Sequence, residues 1–311
     1  MCLSPTAAAV RPQLHDHTPE RPPAAPHGTV SRRSLLAGGA AGLLTALTAQ
    51  PAWARPHIPG LPPGPPGWPR PGRPYGPPAH RAPRGRVRDL THTFSTDFPV
   101  FVDGEEATRS THVNIADNGY YMQRWSFYEH TATHMDAPGH FAPGGRLSPD
   151  IRPDELLVPA VVVDIAEKAA ADPDAEVTVD DLRRFERRHG RIPRRAAVLM
   201  HSGWESRAGD TDAYRGTDSD GVYHFPGFDL EAVDWLVTRR DIQGIGVDTL
   251  SLDHGPSATF EVHVRLLGAD RYGIENLANL ATIPPRGAQI FVGLIPWEEG
   301  SGGPCRVLAT W

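Results

Sequence analysis

From Val87 onward the chain alternates short apolar runs with polar, turn-rich stretches. Eight of these runs read as strands: Arg88 to His92, Val100 to Val102, Arg124 to Glu129, Ala160 to Ile165, Ala196 to His201, Ile242 to Val247, Gln289 to Ile295 and Arg306 to Thr310. Several, such as AVVV within AVVVDI and AAVLM, are continuous apolar runs. A strand without a polar face is expected where both sides of a sheet are covered. Helical spacing appears between them. Thr178 is placed to cap a helix running to His189, with Asp181 as capping-box partner and Gly190 as the stop. Asp229 can cap a second, Leu230 to Arg240, whose Leu230, Val233, Trp235, Leu236 and Val237 form an apolar face. A third helical stretch, Phe260 to Leu267, follows the Gly255-Pro256 turn. The pattern predicts an α/β body with more strand than helix, without internal repeats, forming a single domain over 87–311.

Composition divides the chain at the same place. Of 311 residues, 33 are Pro and 31 Gly, and 12 of the prolines fall between Arg55 and Arg86, a linker that can build no core. The net charge of −6 hides a second division, because residues 1–88 carry 11 Arg and only Asp16 and Glu20. The body is therefore strongly acidic, which together with the lack of a groove-reading helix or stacking aromatics excludes nucleic acid as a partner. Four of the arginines belong to a targeting signal. Arg32 and Arg33 stand before an apolar run from Leu35 to Ala49, followed by Ala52-Trp53-Ala54 as a small-x-small cleavage site. This is the pattern of a twin-arginine export signal over 1–54, read by the twin-arginine (Tat) translocase. The run is shorter than the roughly 20 residues of a spanning helix. The expected location is extracytoplasmic, with membrane anchoring if the signal stays uncleaved. Of two cysteines, Cys2 and Cys305, the first leaves with the signal, so the mature chain has no internal disulfide.

The chemistry concentrates in thirteen residues, YEHTATHMDAPGH, which hold His130, His134, Asp136 and His140. On a helix Asp136 would point well away from His130, whereas on an extended chain all four positions share one face. Thr131, Thr133 and Pro138 favour the extended reading. Imidazoles and a carboxylate without a nearby thiolate suit Zn or Mn. A serine-hydrolase reading fails: Ser202 follows His201 directly, and no G-x-S-x-G elbow is present.

The stretch HTATHMDAPGHF resembles the H-x-G-T-H-x-D-x-P-x-H signature of the metal-dependent cyclase family, which includes bacterial kynurenine formamidases and isatin hydrolases. His263 and Glu275, twelve apart in FEVHVRLLGADRYGIENL, match the family's second motif, and VLMHSGW and GIGVDTLSLD resemble its strands. The resemblance implies a swivelling β/β/α-type architecture. It also implies a binuclear site, in which His130, His134 and Asp136 hold one ion, and Asp136 and Glu275 bridge to a second held by His263. His140 would be the proton shuttle, and one or two divalent ions the cofactor. The family's Gly is Ala132 here, a change that matters if the position needs positive φ. Phe101 of FPVF takes the place of a substrate-contacting aromatic that is often Trp, and 209–226 looks like a specificity loop. The implied protein is a hydrolase of amide or formamide C–N bonds, of arylformamidase type, acting on a small molecule as a homodimer or larger assembly. The alternatives are a lactam or lactone ring-opening hydrolase of isatin-hydrolase type, and a secreted metal- or ligand-binding protein without turnover. A pure binder has no use for a shuttle such as His140.

Overall fold

The computed structural model describes residues 85–311. The expected export signal over 1–54 and the proline-rich linker, apart from its last two residues, lie outside the described residues. The elements run β1 (Val87–Asp89), β2 (Thr108–Val113), α1 (Ile115–Asn118), β3 (Met122–Ser126), β4 (His134–Asp136), β5 (Leu157–Asp164), α2 (Ala166–Ala171), β6 (Glu176–Val177) and α3 (Val179–His189). They continue with β7 (Ala197–His201), α4 (Thr211–Arg215), β8 (Gly227–Phe228), α5 (Leu230–Arg240), β9 (Gly244–Val247), α6 (Glu261–Leu267), β10 (Tyr272–Glu275), β11 (Arg286–Leu294) and β12 (Gly302–Thr310).

Seven strands close on themselves. The ladder passes from β12 through β11, β5, β7, β9 and β10 to β4, and β4 pairs back onto β12, while β1 lies along the far end of β12. Closure leaves no long free edge among these seven. The strands β5, β7, β9 and β10 are parallel neighbours, each joined to the next by a helical crossover, and the remaining barrel pairings are antiparallel.

Two apolar layers account for the unbroken runs. Ala160, Val162, Ala197 and Leu199 face the barrel interior with Met135, Ile274, Ile290 and Val307. Their neighbours Val161, Val163, Val198 and Met200 face outward onto Leu182 and Phe185 of α3, Val233 and Leu236 of α5, and Leu266 of α6. Each fully buried side chain of this size contributes about 1.5–3 kcal/mol. The three expected helices form within a residue of their expected limits. Asp181 accepts the Thr178 N–H at 3.0 Å and gives its own N–H to the Thr178 hydroxyl, and Asp229 accepts the Ala232 N–H.

Val100 to Val102 forms no strand, contrary to the pattern. Pro99 precedes it, and the carbonyl of Val100 is taken by the guanidinium of Arg215, whose Nε donates at 2.8 Å. Five strands lie outside the expected runs: β4 and β10 are short and hold the polar cluster, β6 and β8 are two residues long, and β2 is exposed over nearly its whole length. No described helix is long and apolar enough to cross a membrane.

Candidate active site

The polar cluster is built on the outer face of the barrel where β4 pairs antiparallel with β10. His134 lies opposite Glu275 and Asp136 opposite Gly273. Met135 and Ile274 between them belong to the barrel interior, so strand alternation puts His134, Asp136 and Glu275 together on the other side. A Cβ at Gly273 would strike Leu252 and come within 3.1 Å of Asp136 Oδ2, so only glycine leaves the carboxylate its place. Helix α6 brings in His263.

His130 and His140 arrive by turns. Ala132 takes φ of +56°, turning the chain back so that His130 reaches Asp136, and a 3-10 turn over Pro138–His140 lays His140 on the His130 ring. The expectation of a single extended face thus holds for His134 and Asp136 only. Ala132 does occupy a position that needs positive φ.

Asp136 Oδ1 lies 2.7 Å from His130 Nδ1 and 3.3 Å from His134 Nε2. The Glu275 oxygens divide, Oε2 at 3.3 Å from His134 Nε2 and Oε1 at 3.0 Å from His263 Nε2. Two groups of ligand atoms therefore share Asp136: His130, His134 and Asp136, and Asp136, His263 and Glu275, each set lying within 4.8 Å. Outer contacts orient the rings. His134 Nδ1–H donates to the Ala132 carbonyl at 2.8 Å, and His263 Nδ1–H to Asp253 Oδ2 at 2.6 Å, so that both Nε2 atoms face the carboxylates.

The electrostatics match this geometry. Burial opposes a charge on His134, but the hydrogen bonds it gives to Asp136 and Glu275 and their charges outweigh it and raise its pKa to about 10. His263 is raised for the same reasons by Asp136, Asp253 and Glu275. Asp136 is held well below the usual carboxylate range against its burial by the three imidazoles, and Glu275 is also lowered, against burial and the Asp136 charge, by His134 and His263. His140 moves the other way, to about 4, through desolvation and the neighbouring His130 and His263. The residues fit a divalent cation. Asp136 Oδ2 is buried without a hydrogen-bond partner, its nearest ring nitrogen being His263 Nε2 at 3.5 Å, and the donor set is the nitrogen and oxygen set of a borderline metal.

These groups line a cavity of about 390 Å³ whose walls include Phe101, Tyr128, Phe141, Leu250 and Phe260. Phe101 packs edge-on against Tyr223 and tilts against Phe260. The 209–226 loop does not line the cavity; it holds the wall from behind, through Arg215 on the Val100 carbonyl and the Tyr223 hydroxyl donating to the Phe101 carbonyl. His201, His224 and His254 lie apart, paired with Asp164, with Asp174 and Asp218, and with Glu176. Ser202 is buried and donates to Asp248.

Sequence reasoning gives no role to Asp253 or to the Tyr214–Asn276 pair, in which the Tyr214 hydroxyl donates to Asn276 Oδ1 and Asn276 Nδ2 donates to the Ala132 carbonyl. The one signal for Asp253 is an acidic residue ten positions before His263.

Buried imidazoles and carboxylates converging on an aromatic cavity beside a strand barrel define the site of a metal-dependent hydrolase. Residues 88–254 match the family described as "Putative cyclase". The chain belongs to this cyclase family. It is 32% identical over 203 residues to the isatin hydrolase of Roseibium aggregatum, 62% of this chain and 76% of that protein. It is 24% identical over 224 residues to the kynurenine formamidase of Erythrobacter litoralis, 72% of this chain and 93% of that protein. Among solved structures, isatin hydrolase A from Ralstonia solanacearum superposes with a TM-score of 0.69 at 37% identity, over 73% of this chain and 92% of that one.

Proposed function

We propose that the protein hydrolyses a C–N bond beside an aromatic ring, with a neutral aryl lactam of isatin type as the first substrate class and an N-formyl arylamine as the second. The carrying observation is the cavity wall. It is aromatic, and among the described residues no Lys or Arg lines it, the only charges outside the histidine–carboxylate cluster being Glu105 and Glu129. A formamide bearing a free carboxylate would find no cation there and would face acidic groups. The isatin hydrolase relatives support the lactam reading, and the kynurenine formamidase, matched over nearly its whole length, supports the formamide one.

His130, His134, Asp136, His263 and Glu275 would hold one or two divalent ions, Zn or Mn, which when bound lower the pKa of a water and polarise the amide carbonyl. His140 supplies the proton step. Its low pKa keeps the ring neutral near pH 7, so it can take a proton from the attacking water and return it to the leaving nitrogen. The new C–O bond and the broken C–N bond leave a carboxylate and an amine. Phe101 and Phe260 offer faces for the aryl ring. Export by the Tat translocase is part of the proposal on the evidence of Arg32 and Arg33, and a homodimer or larger assembly on that of the family resemblance. The test is metal analysis of purified protein with a hydrolysis screen of isatin, neutral N-formyl arylamines, N-formyl amino-acid arylamines and small lactones. Full turnover by metal-free protein, or turnover restricted to the carboxylate-bearing formamides, would overturn it.

A further inference from the structure

The third imidazole, His130, is oriented by a different device from the other two. Its Nδ1 faces Asp136, and its Nε2 lies 2.9 Å from Ser301 Oγ. Ser301 Oγ lies 2.5 Å from Glu129 Oε1, and the Ser301 backbone N–H donates to Glu129 Oε2 at 3.1 Å. A hydroxyl has one proton and an ionised carboxylate can only accept. Ser301 therefore gives its proton to Glu129 and can only accept from His130, which fixes a hydrogen on Nε2; the hydrogen on Nδ1, 2.7 Å from the acceptor Asp136 Oδ1, is then the one a cation displaces.

The backbone is shaped to hold this chain. A Cβ at Gly302 would come within 2.6 Å of His130 Cε1, and one at Gly300 within 3.1 Å of Glu129 Oε2, so the Gly-Ser-Gly stretch lies flat against both groups. It is fastened by the Ser148 hydroxyl, 3.0 Å from the carbonyl of Gly300 and 2.9 Å from that of Gly302, and by the Ala137 N–H donating to the Ser301 carbonyl.

We propose that Glu129 and Ser301 are positioning residues that fix His130 in the Nε2–H form and so prepare the His130–His134–Asp136 group for a divalent cation. The proposal rests on the metal-dependent reading above. Reversing the direction of the chain would make Nε2 the acceptor and leave the ring's one hydrogen on Nδ1, blocking that nitrogen. Gln at 129 permits the reversal, because its amide can donate to Ser301 Oγ, whose proton then turns to His130.

The experiment titrates metal-free protein, folded by circular dichroism, with Zn²⁺ against a chromophoric chelator, and records imidazole ¹⁵N shifts of the same metal-free samples. Ser301→Ala and Glu129→Gln are expected to weaken the tighter Zn²⁺ site by about 10–100-fold and to shift His130 away from the Nε2–H form. Ser301→Thr, which keeps the hydroxyl, is expected to restore both. If the parent protein binds Zn²⁺ and all three variants match it in affinity and tautomer, the positioning role is overturned while the metal-dependent reading stands. If Ser301→Thr fails to restore what Ser301→Ala loses, bulk and not the hydroxyl is responsible, and the proposal falls as well. If the parent itself binds no Zn²⁺, the reading beneath it falls too.

Discussion

His130 and His140 stack face to face, their ring centroids 3.8 Å apart and their planes 21° from parallel. Two imidazoles so placed repel each other if both are charged, which helps to keep His140 unprotonated. His140→Ala is expected to retain its metal and fold while kcat falls by about 10²–10⁴, the usual share of a positioned acid–base group. Metal content and steady-state kinetics on one preparation check this; loss of metal would make His140 a ligand.

Glu275 sends one oxygen towards each ligand group. Glu275→Ala should therefore lower metal stoichiometry as well as turnover, whereas His140→Ala lowers turnover alone. Elemental analysis of the two variants side by side separates the roles.

Metal and protons compete for the same nitrogens. In the metal-free protein His134 is raised from 6.5 to about 10 and His263 is raised too. Their contribution to stability is fully present below pH 6.5 and is lost as pH rises through the folded pKa, here about 10 for His134. Coordination needs the neutral rings, so metal affinity should increase with pH across that window, and loading at pH 7.5 should release protons. Calorimetry in buffers of different ionisation enthalpy measures the release. A heat independent of buffer would count against this site.

Ala132 holds φ of +56° and presents its carbonyl to both His134 and Asn276. The left-handed region costs an L-residue roughly 1–2 kcal/mol that glycine escapes, but the buried methyl offsets about 0.8 kcal/mol of that. Ala132→Gly should then leave stability within about 1 kcal/mol and preserve activity, whereas Ala132→Val should lose both, as read by urea unfolding and kinetics.

Arg215 is buried and its guanidinium bonds the Val100 carbonyl. Arg215→Met leaves that carbonyl unpaired at a cost of about 1–3 kcal/mol and loosens the wall that carries Phe101. KM for an aryl substrate should rise more than kcat falls. An unchanged KM would separate the loop from substrate binding.

Replacing Arg32 and Arg33 together with Lys should keep the protein inside the cell with residues 1–54 attached, because the pair is what the translocase reads. Fractionation and an intact-mass measurement decide it, and normal export of the double variant would remove the assignment.

By itself the sequence determined the layers, the helices and most of the candidate ligand set. Apolar periodicity and capping act over a few residues, which is why Thr178–His189, Asp229–Arg240 and the runs at Ala160 and Ala196 could be read directly. His130, His134, Asp136 and His140 were legible because they are crowded into one motif, and His263 and Glu275 because their spacing resembles a known pattern. Barrel closure depends on β4 pairing with β12 across more than 160 residues, and local pattern carries no information about such a pairing. The same holds for Asp253 behind His263, for Ser301 and Glu129 behind His130, and for Arg215 behind Val100. Each is an ordinary polar residue in the chain. Only the tertiary structure brings it within hydrogen-bond distance of a group whose hydrogen or orientation it can set.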